Sequence, residues 1–195
     1  MTKPRVGVLA IQGDYEAHAK ALVRAGANPE LVLWPKQLAE LAALVLPGGE
    51  STTIAKGLAR LALYEPLRER IRAGLPVLGT CAGAILLAER VENRPVETLG
   101  VLDATAVRNA YGTQVDSFIA SVDEGAAAGL AGLRCVFIRA PQLKDPGAEV
   151  EVLARVDGEP VLLRQRNVLA ATFHPEITDD ARVHRLLLAM TPPGV

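Results

Sequence analysis

Pro76-Val77-Leu78-Gly79-Thr80-Cys81-Ala82-Gly83-Ala84-Ile85-Leu86-Leu87-Ala88 decides the fold. A short apolar run ends in Gly-x-Cys-x-Gly, and an apolar stretch follows at once. This is a cysteine form of the nucleophile elbow, where a buried strand turns sharply into a helix and lifts one side chain above the sheet's end. The flanking glycines let the chain turn sharply and leave room beside that side chain. A thiol there sits at a helix N-terminus, whose dipole favours thiolate, the form that attacks carbonyls. Downstream, Phe173-His174-Pro175-Glu176 supplies an imidazole with a carboxylate two residues on. Cys81, His174 and Glu176 are therefore the candidate nucleophile, base and orienter of an enzyme, provided Pro175 bends the chain between the last two.

Working outward, apolar strand-like runs alternate with helical periods. Val6–Ile11, Leu31–Leu33, Leu44–Leu46 and Val77-Leu78 read as buried strands. A helix starts at Gly13-Asp14 and stops at Gly26, with Tyr15, Ala19, Leu22 and Val23 on its apolar face; another is capped by Ser51 or Thr52. Such an alternation predicts a parallel sheet covered on both faces. Beyond residue 95 strands follow one another: Ala104–Val107, Val115–Ser121, Arg134–Ile138, Glu149–Val156, Val161–Leu163 and Val168–Thr172, with a hairpin turn at Asp157-Gly158. These predict a mixed or antiparallel extension of the same sheet. A last helix is expected from Thr178 to the stop at Pro192-Pro193, with Val183, Leu186, Leu187 and Met190 facing inward. The expectation is an α/β, single-domain, three-layer sandwich over residues 1–195.

The chain has 195 residues, half of them hydrophobic, and a formal net charge of −1. That suits one well-cored domain and argues against a nucleic-acid partner or an anionic membrane surface. No run approaches the ~18 apolar residues of a membrane span, and no export signal is evident, so a cytoplasmic protein with Cys81 and Cys135 as free thiols is expected. Cys135, within Arg134-Cys135-Val136-Phe137-Ile138, reads as an inert core thiol. His18 and His184 read as surface or capping histidines. No metal site is expected, and no cofactor.

In a doubly wound sheet the ends of three apolar strands converge: Pro47-Gly48-Gly49-Glu50-Ser51, the Cys81 elbow and the His174 segment. Backbone N–H groups of Ala82 and of the Gly48-Gly49 loop would form the oxyanion hole. Glu50 is equally a helix-start acid, and Arg108 and Arg139 are equally solvated cations. Spacing alone makes none of the three a substrate ligand.

The sequence resembles the class I, triad-type glutamine amidotransferases, and among them the glutaminase subunits of pyridoxal 5′-phosphate synthases. The matching segments are Gly7–Asp14, Leu46–Thr53, Gly79–Gly83, Arg108-Asn109-Ala110-Tyr111-Gly112, Phe137–Pro141 and Phe173–Glu176. They run in family order over nearly the whole chain. The resemblance implies hydrolysis of L-glutamine to glutamate and ammonia through a thioester on Cys81. It places the substrate's α-groups on Gly49, Glu50, Ser51, Arg108, Ile138 and Arg139. It implies a separate synthase subunit, a TIM barrel within a large hetero-oligomer, that receives the ammonia and builds the vitamin B6 cofactor.

Three other readings meet specific objections. A glutaminase serving imidazole glycerol phosphate synthase would lack the Arg108–Gly112 block. A cysteine redox sensor of similar fold has no use for His174-Pro175-Glu176. Intact triad residues argue against a catalytically dead binding subunit.

Overall fold

The structure is a computed structural model and describes residues 3–108 and 117–192. Its first half is β1 (Arg5–Leu9), α1 (Tyr15–Ala25), β2 (Asn28–Val32), β3 (Ala43–Leu46), α2 (Ser51–Arg60), α3 (Tyr64–Arg72), β4 (Val77–Thr80) and α4 (Ala82–Leu87). The second half is strand-rich: β5 (Ala88–Glu92), β6 (Leu102–Val107), β7 (Phe118–Ser121), β8 (Arg134–Phe137), β9 (Gln142–Lys144), β10 (Glu151–Val156), β11 (Glu159–Gln165) and β12 (Val168–Ala171), followed by α5 (Arg182–Ala189). Asn109–Gly112, quoted above for the resemblance, and the strand start expected at Val115 lie outside the described residues.

A seven-stranded sheet runs in the order β10-β11-β12-β4-β3-β1-β2. Strands β2, β1, β3, β4 and β12 are parallel, and β11 and β10 complete it as an antiparallel hairpin. The hairpin turns at Asp157 and Gly158, with φ of 51° and 79°. Both are positive, as the primed turns that match strand twist require. Alternate residues of each central strand feed opposite cores. Leu44 and Leu46 of β3 pack with Ile54, Leu58 and Leu67 of α2 and α3, whereas Ala43 and Val45 pack with Leu22 of α1 and Val183 and Leu187 of α5. Continuous apolar strands are thus explained by helices on both faces, giving the expected three layers.

Four local expectations are corrected. Strands β5, β6 and β9 form their own three-stranded sheet, and β7 and β8 a two-stranded one, rather than extending the main sheet. The reason is packing: Leu102, Ala104, Ala106 and Leu143 bury themselves in the core that also holds α4. Secondly, α2 is capped by Glu50, not by Ser51 or Thr52. The Glu50 carboxylate accepts from Thr52 N–H at 3.0 Å and Thr53 N–H at 2.7 Å. Thirdly, α5 begins at Arg182, because Asp180 accepts from the Arg182 N–H at 3.0 Å and holds the chain outside the helix. Fourthly, α1 is rotated from its expected phase: His18, Ala21 and Leu22 are buried while Val23 is 54% exposed.

Candidate active site

Parallel pairing assembles the site. Leu46 of β3 stands beside Gly79 of β4, and Ala171 of β12 beside Thr80. The segments leaving these three strands at the same edge are Pro47-Gly48-Gly49, Cys81 and Thr172-Phe173-His174. Cys81 N–H donates to the Ala171 carbonyl at 2.8 Å and His174 N–H to the Val136 carbonyl at 2.8 Å, which fixes both backbones before any side chain is considered.

Cys81 has φ 48° and ψ −105°, the left-handed strain of an elbow. Its side chain is lifted above the sheet while Ala82 opens α4. Gly83 is demanded by packing, since a Cβ there would stand 2.0 Å from the Leu46 carbonyl oxygen. The thiol donates weakly to the Ile138 carbonyl, with sulfur and oxygen 3.8 Å apart. Gly48 lies against both reacting groups: a Cβ there would fall 2.5 Å from His174 Cε1 and 3.3 Å from Cys81 Cβ.

Nδ1 of His174 donates to Oε1 of Glu176 at 2.7 Å. Pro175–Ile177 form a single 3-10 turn, which supplies the bend that a straight strand lacks. Nε2 of His174 makes no full hydrogen bond among the described residues and is the nitrogen left for the thiol; such catalytic contacts often tighten only when substrate binds. Burial disfavours the imidazolium, but hydrogen bonding and charge from Cys81 and Glu176 outweigh it and raise the His174 pKa to about 10.

Cys81, Ala82, His174, Gly49, Glu50, Ser51, Arg108, Ile138 and Arg139 all border one cavity of about 350 Å³. Glu176 stands behind His174, 4% exposed. The structure therefore brings every expected site residue to this cavity or against its wall. The Glu50 side chain, however, is occupied. Burial alone would raise its pKa, but hydrogen bonds from Thr53 and Thr52 hold it at about 2. Arg108 backs this cap, with Nη2 3.1 Å from Thr52 Oγ1 and 3.7 Å from Glu50 Oε1, while its Nη1 donates to the Arg94 carbonyl at 2.6 Å.

His18 and His184 are corrections. Both are completely buried, not at the surface. His18 Nδ1 lies 3.0 Å from His184 Nε2, and His18 Nε2 lies 3.0 Å from Thr80 Oγ1 and 3.3 Å from Glu176 Oε2. Helical phase held the available signal: His18 is spaced i, i+3, i+7 with Tyr15 and Leu22, and His184 stands three residues before buried Leu187. Asp14 also borders the cavity, and Asp14, His174 and Glu176 offer ligand atoms within 4.8 Å of one another. Because His174 Nδ1 is already bonded to Glu176, this cluster reads as hydrogen-bonding machinery.

Known proteins share this sequence and fold. The "Pyridoxal 5'-phosphate synthase subunit PdxT" of Thermotoga maritima is 50% identical over 186 residues, covering 95% of this chain and 98% of that protein. The protein of the same name from Frankia casuarinae is 54% identical over 192 residues, covering 96% and 95%. A crystal structure of a glutamine amidotransferase superposes with a TM-score of 0.89 at 46% identity, over 95% of this chain and 97% of that one. PurLQS from Thermotoga maritima, at 19% identity and a TM-score of 0.66, shares the fold. With the SNO glutamine amidotransferase family model matching residues 8–191, this chain belongs to that family.

Proposed function

We infer that this chain, acting as one glutamine amidotransferase domain, hydrolyses L-glutamine to L-glutamate and ammonia and delivers the ammonia to a subunit that makes pyridoxal 5′-phosphate. The observation that carries the chemistry is the Cys81 elbow beside the 2.7 Å His174–Glu176 pair, in a cavity large enough for an amino acid.

The Cys81 thiolate attacks the γ-amide carbon of glutamine, and the carbonyl π electrons move to oxygen. Backbone N–H groups of Ala82 and of the Gly48-Gly49 loop hold that oxyanion. Imidazolium His174 donates its proton to the amide nitrogen, the C–N bond breaks, and ammonia leaves a thioester on Cys81. His174, now neutral, takes a proton from water, whose oxygen attacks the thioester and releases glutamate and the thiolate. Glu176 holds the Nδ1–H tautomer and stabilises the imidazolium throughout. Recognition of the α-groups falls to the Gly49-Glu50-Ser51 backbone, Arg108, and the Ile138-Arg139 segment. Since the Glu50 carboxylate caps α2, that residue acts through its main chain and through its hold on Arg108.

The receiving subunit is a TIM barrel in a hetero-oligomer, and the complex is cytoplasmic. Among the described residues no helix is long and apolar enough to cross a membrane. Transfer along a closed route keeps ammonia from being protonated in bulk water, where it ceases to be a nucleophile. Docking of that subunit reorients a Gly48-Gly49 peptide and completes the oxyanion hole. A coupling route exists: Gln12 Oε1 accepts from Glu50 N–H at 2.7 Å, and a Cβ on Gly13 would meet the Gly48 carbonyl oxygen at 1.7 Å. A shift of residues 12–14 on docking therefore moves the loop. Loss of one oxyanion donor costs ~10²–10³ in rate, enough to silence the lone subunit.

The test is glutamine-dependent formation of pyridoxal 5′-phosphate by the complex. Cys81→Ser abolishes glutamine-driven product and leaves synthesis from added ammonium salt intact. Loss of both would refute the division of labour, and equal glutaminase activity with and without the synthase would refute the docking switch.

A further inference from the structure

Behind the triad acid lies a second buried layer that the mechanism above does not use. Oε1 of Glu176 is bonded to His174, but Oε2 has no full hydrogen bond among the described residues, and the cation-capable atom beside it is His18 Nε2 at 3.3 Å. The same Nε2 reaches Thr80 Oγ1, on the residue immediately before the nucleophile. His18 Nδ1 continues to His184 Nε2, whose ring lies 5.2 Å from that of His18, centroid to centroid.

The partners decide the protonation. Burial, reinforced by the His184 and His174 imidazoles, drives the His18 pKa well below its ordinary value, and burial with the charge of Arg24 brings His184 to about 4. Both are neutral near pH 7, so each ring carries one N–H. If His184 held its proton on Nδ1, a buried donor would be orphaned, because that atom has no partner among the described residues. His18 Nε2 would then present a lone pair to a carboxylate oxygen. With the protons on His184 Nε2 and His18 Nε2, neither fault exists. His184 donates to His18 Nδ1, and His18 Nε2–H donates to Thr80 Oγ1 while its positive end stands 3.3 Å from Glu176 Oε2. Every dipole in the chain then points toward the carboxylate, which each donor polarises further.

Resting on the glutaminase reading, we propose that His18, aligned by His184, is a positioning residue that anchors the second oxygen of Glu176 and so holds the carboxylate against His174. One carboxylate is thereby fixed at both oxygens: by the base on one side and by a helix from the far layer of the sandwich on the other. His18 touches no reacting atom. Its contribution is to keep Glu176 from rotating about its final torsion, which is broad for a carboxylate end.

The experiment is steady-state hydrolysis of L-glutamine by the full chain in complex with its synthase subunit. His18→Leu removes the Nε2–H donor and the Nδ1 acceptor and lowers kcat about tenfold or more, a part of the ~10²–10⁴ a positioned proton-transfer group contributes. KM stays within about twofold, because the substrate site is untouched. His18→Gln places an amide N–H where Nε2 was and restores kcat to within about threefold of wild type. His18→Asn places its amide near Nδ1, keeps the contact with His184, leaves Glu176 unanchored, and resembles His18→Leu. Should the leucine variant fail to fold, the Asn and Gln pair decides. Wild-type kcat in His18→Leu, equal rates for Asn and Gln, or parallel loss of kcat, KM and stability in all three overturns the inference. A wild-type complex that does not hydrolyse glutamine overturns the proposed function itself.

Discussion

His174 and Glu176 are two residues apart, yet their side chains meet at 2.7 Å. The backbone leaves His174 at ψ 86° and enters the 3-10 turn at Pro175, so side chains that a strand would hold in parallel converge instead. The pairing gives His174 one defined tautomer with Nε2 toward the nucleophile.

Glu176→Gln keeps the size of the side chain and inverts its chemistry. The amide N–H faces Nδ1, favours the proton on Nε2, and leaves a ring unable to act as base. The expected loss in kcat is about 10²–10⁴ with the fold retained. Ammonia release by the complex, with circular dichroism as the structural check, measures both.

Gly48→Ala forces a methyl to within 2.5 Å of His174 Cε1 unless the ring moves. A displacement near 1 Å is enough to lower the rate about 10²-fold, and overpacking of this kind costs about 1–3 kcal/mol. Thermal unfolding and glutaminase assays on one preparation separate the two effects. Unchanged activity would place the loop elsewhere.

The two thiols differ in chemistry. Cys135 is fully buried, and burial together with the charge of Asp180 raises its pKa to about 12. A glutamine-analogue electrophile labels Cys81 alone in the folded complex, and Cys135 reacts only after unfolding. Mass spectrometry of tryptic peptides checks this; labelling of Cys135 at a comparable rate contradicts it.

Stability responds to acid through the buried histidines. His184 binds a proton near pH 4 when folded and near 6.5 when unfolded, so the unfolded chain holds more protons between these values. Stability is therefore lost as pH falls from about 6.5 to 4, by up to about 3 kcal/mol for this group. His18 acts in the same direction. His174 acts oppositely: its pKa is raised to about 10, so its contribution is complete below 6.5 and is lost as pH rises toward 10. Urea midpoints at pH 7 and 4.5 should differ in the wild type, and by less in His184→Gln.

Much of this was legible in the linear chain because it is local. Two glycines around Cys81 announce a turn, and a proline between His174 and Glu176 announces a bend. Apolar runs with no polar alternation announce strands covered on both faces. The cap on α2 was misread because Ser, Thr and Glu at consecutive positions all carry acceptor oxygens, and only the backbone path shows which reaches the free N–H groups.

By itself, then, the sequence carried the apolar strand runs, the Cys81 elbow and the His174-Pro175-Glu176 bend, since each depends on residues within a few positions of one another, whereas the meeting of Cys81 with His174 follows from the pairing of β4 with β12. Only the tertiary structure decided that His18 and His184, 166 positions apart, close a buried chain behind Glu176. A histidine on an amphipathic helix has the same local pattern whether its face meets water or another helix. The packing of α1 against α5 supplies the difference.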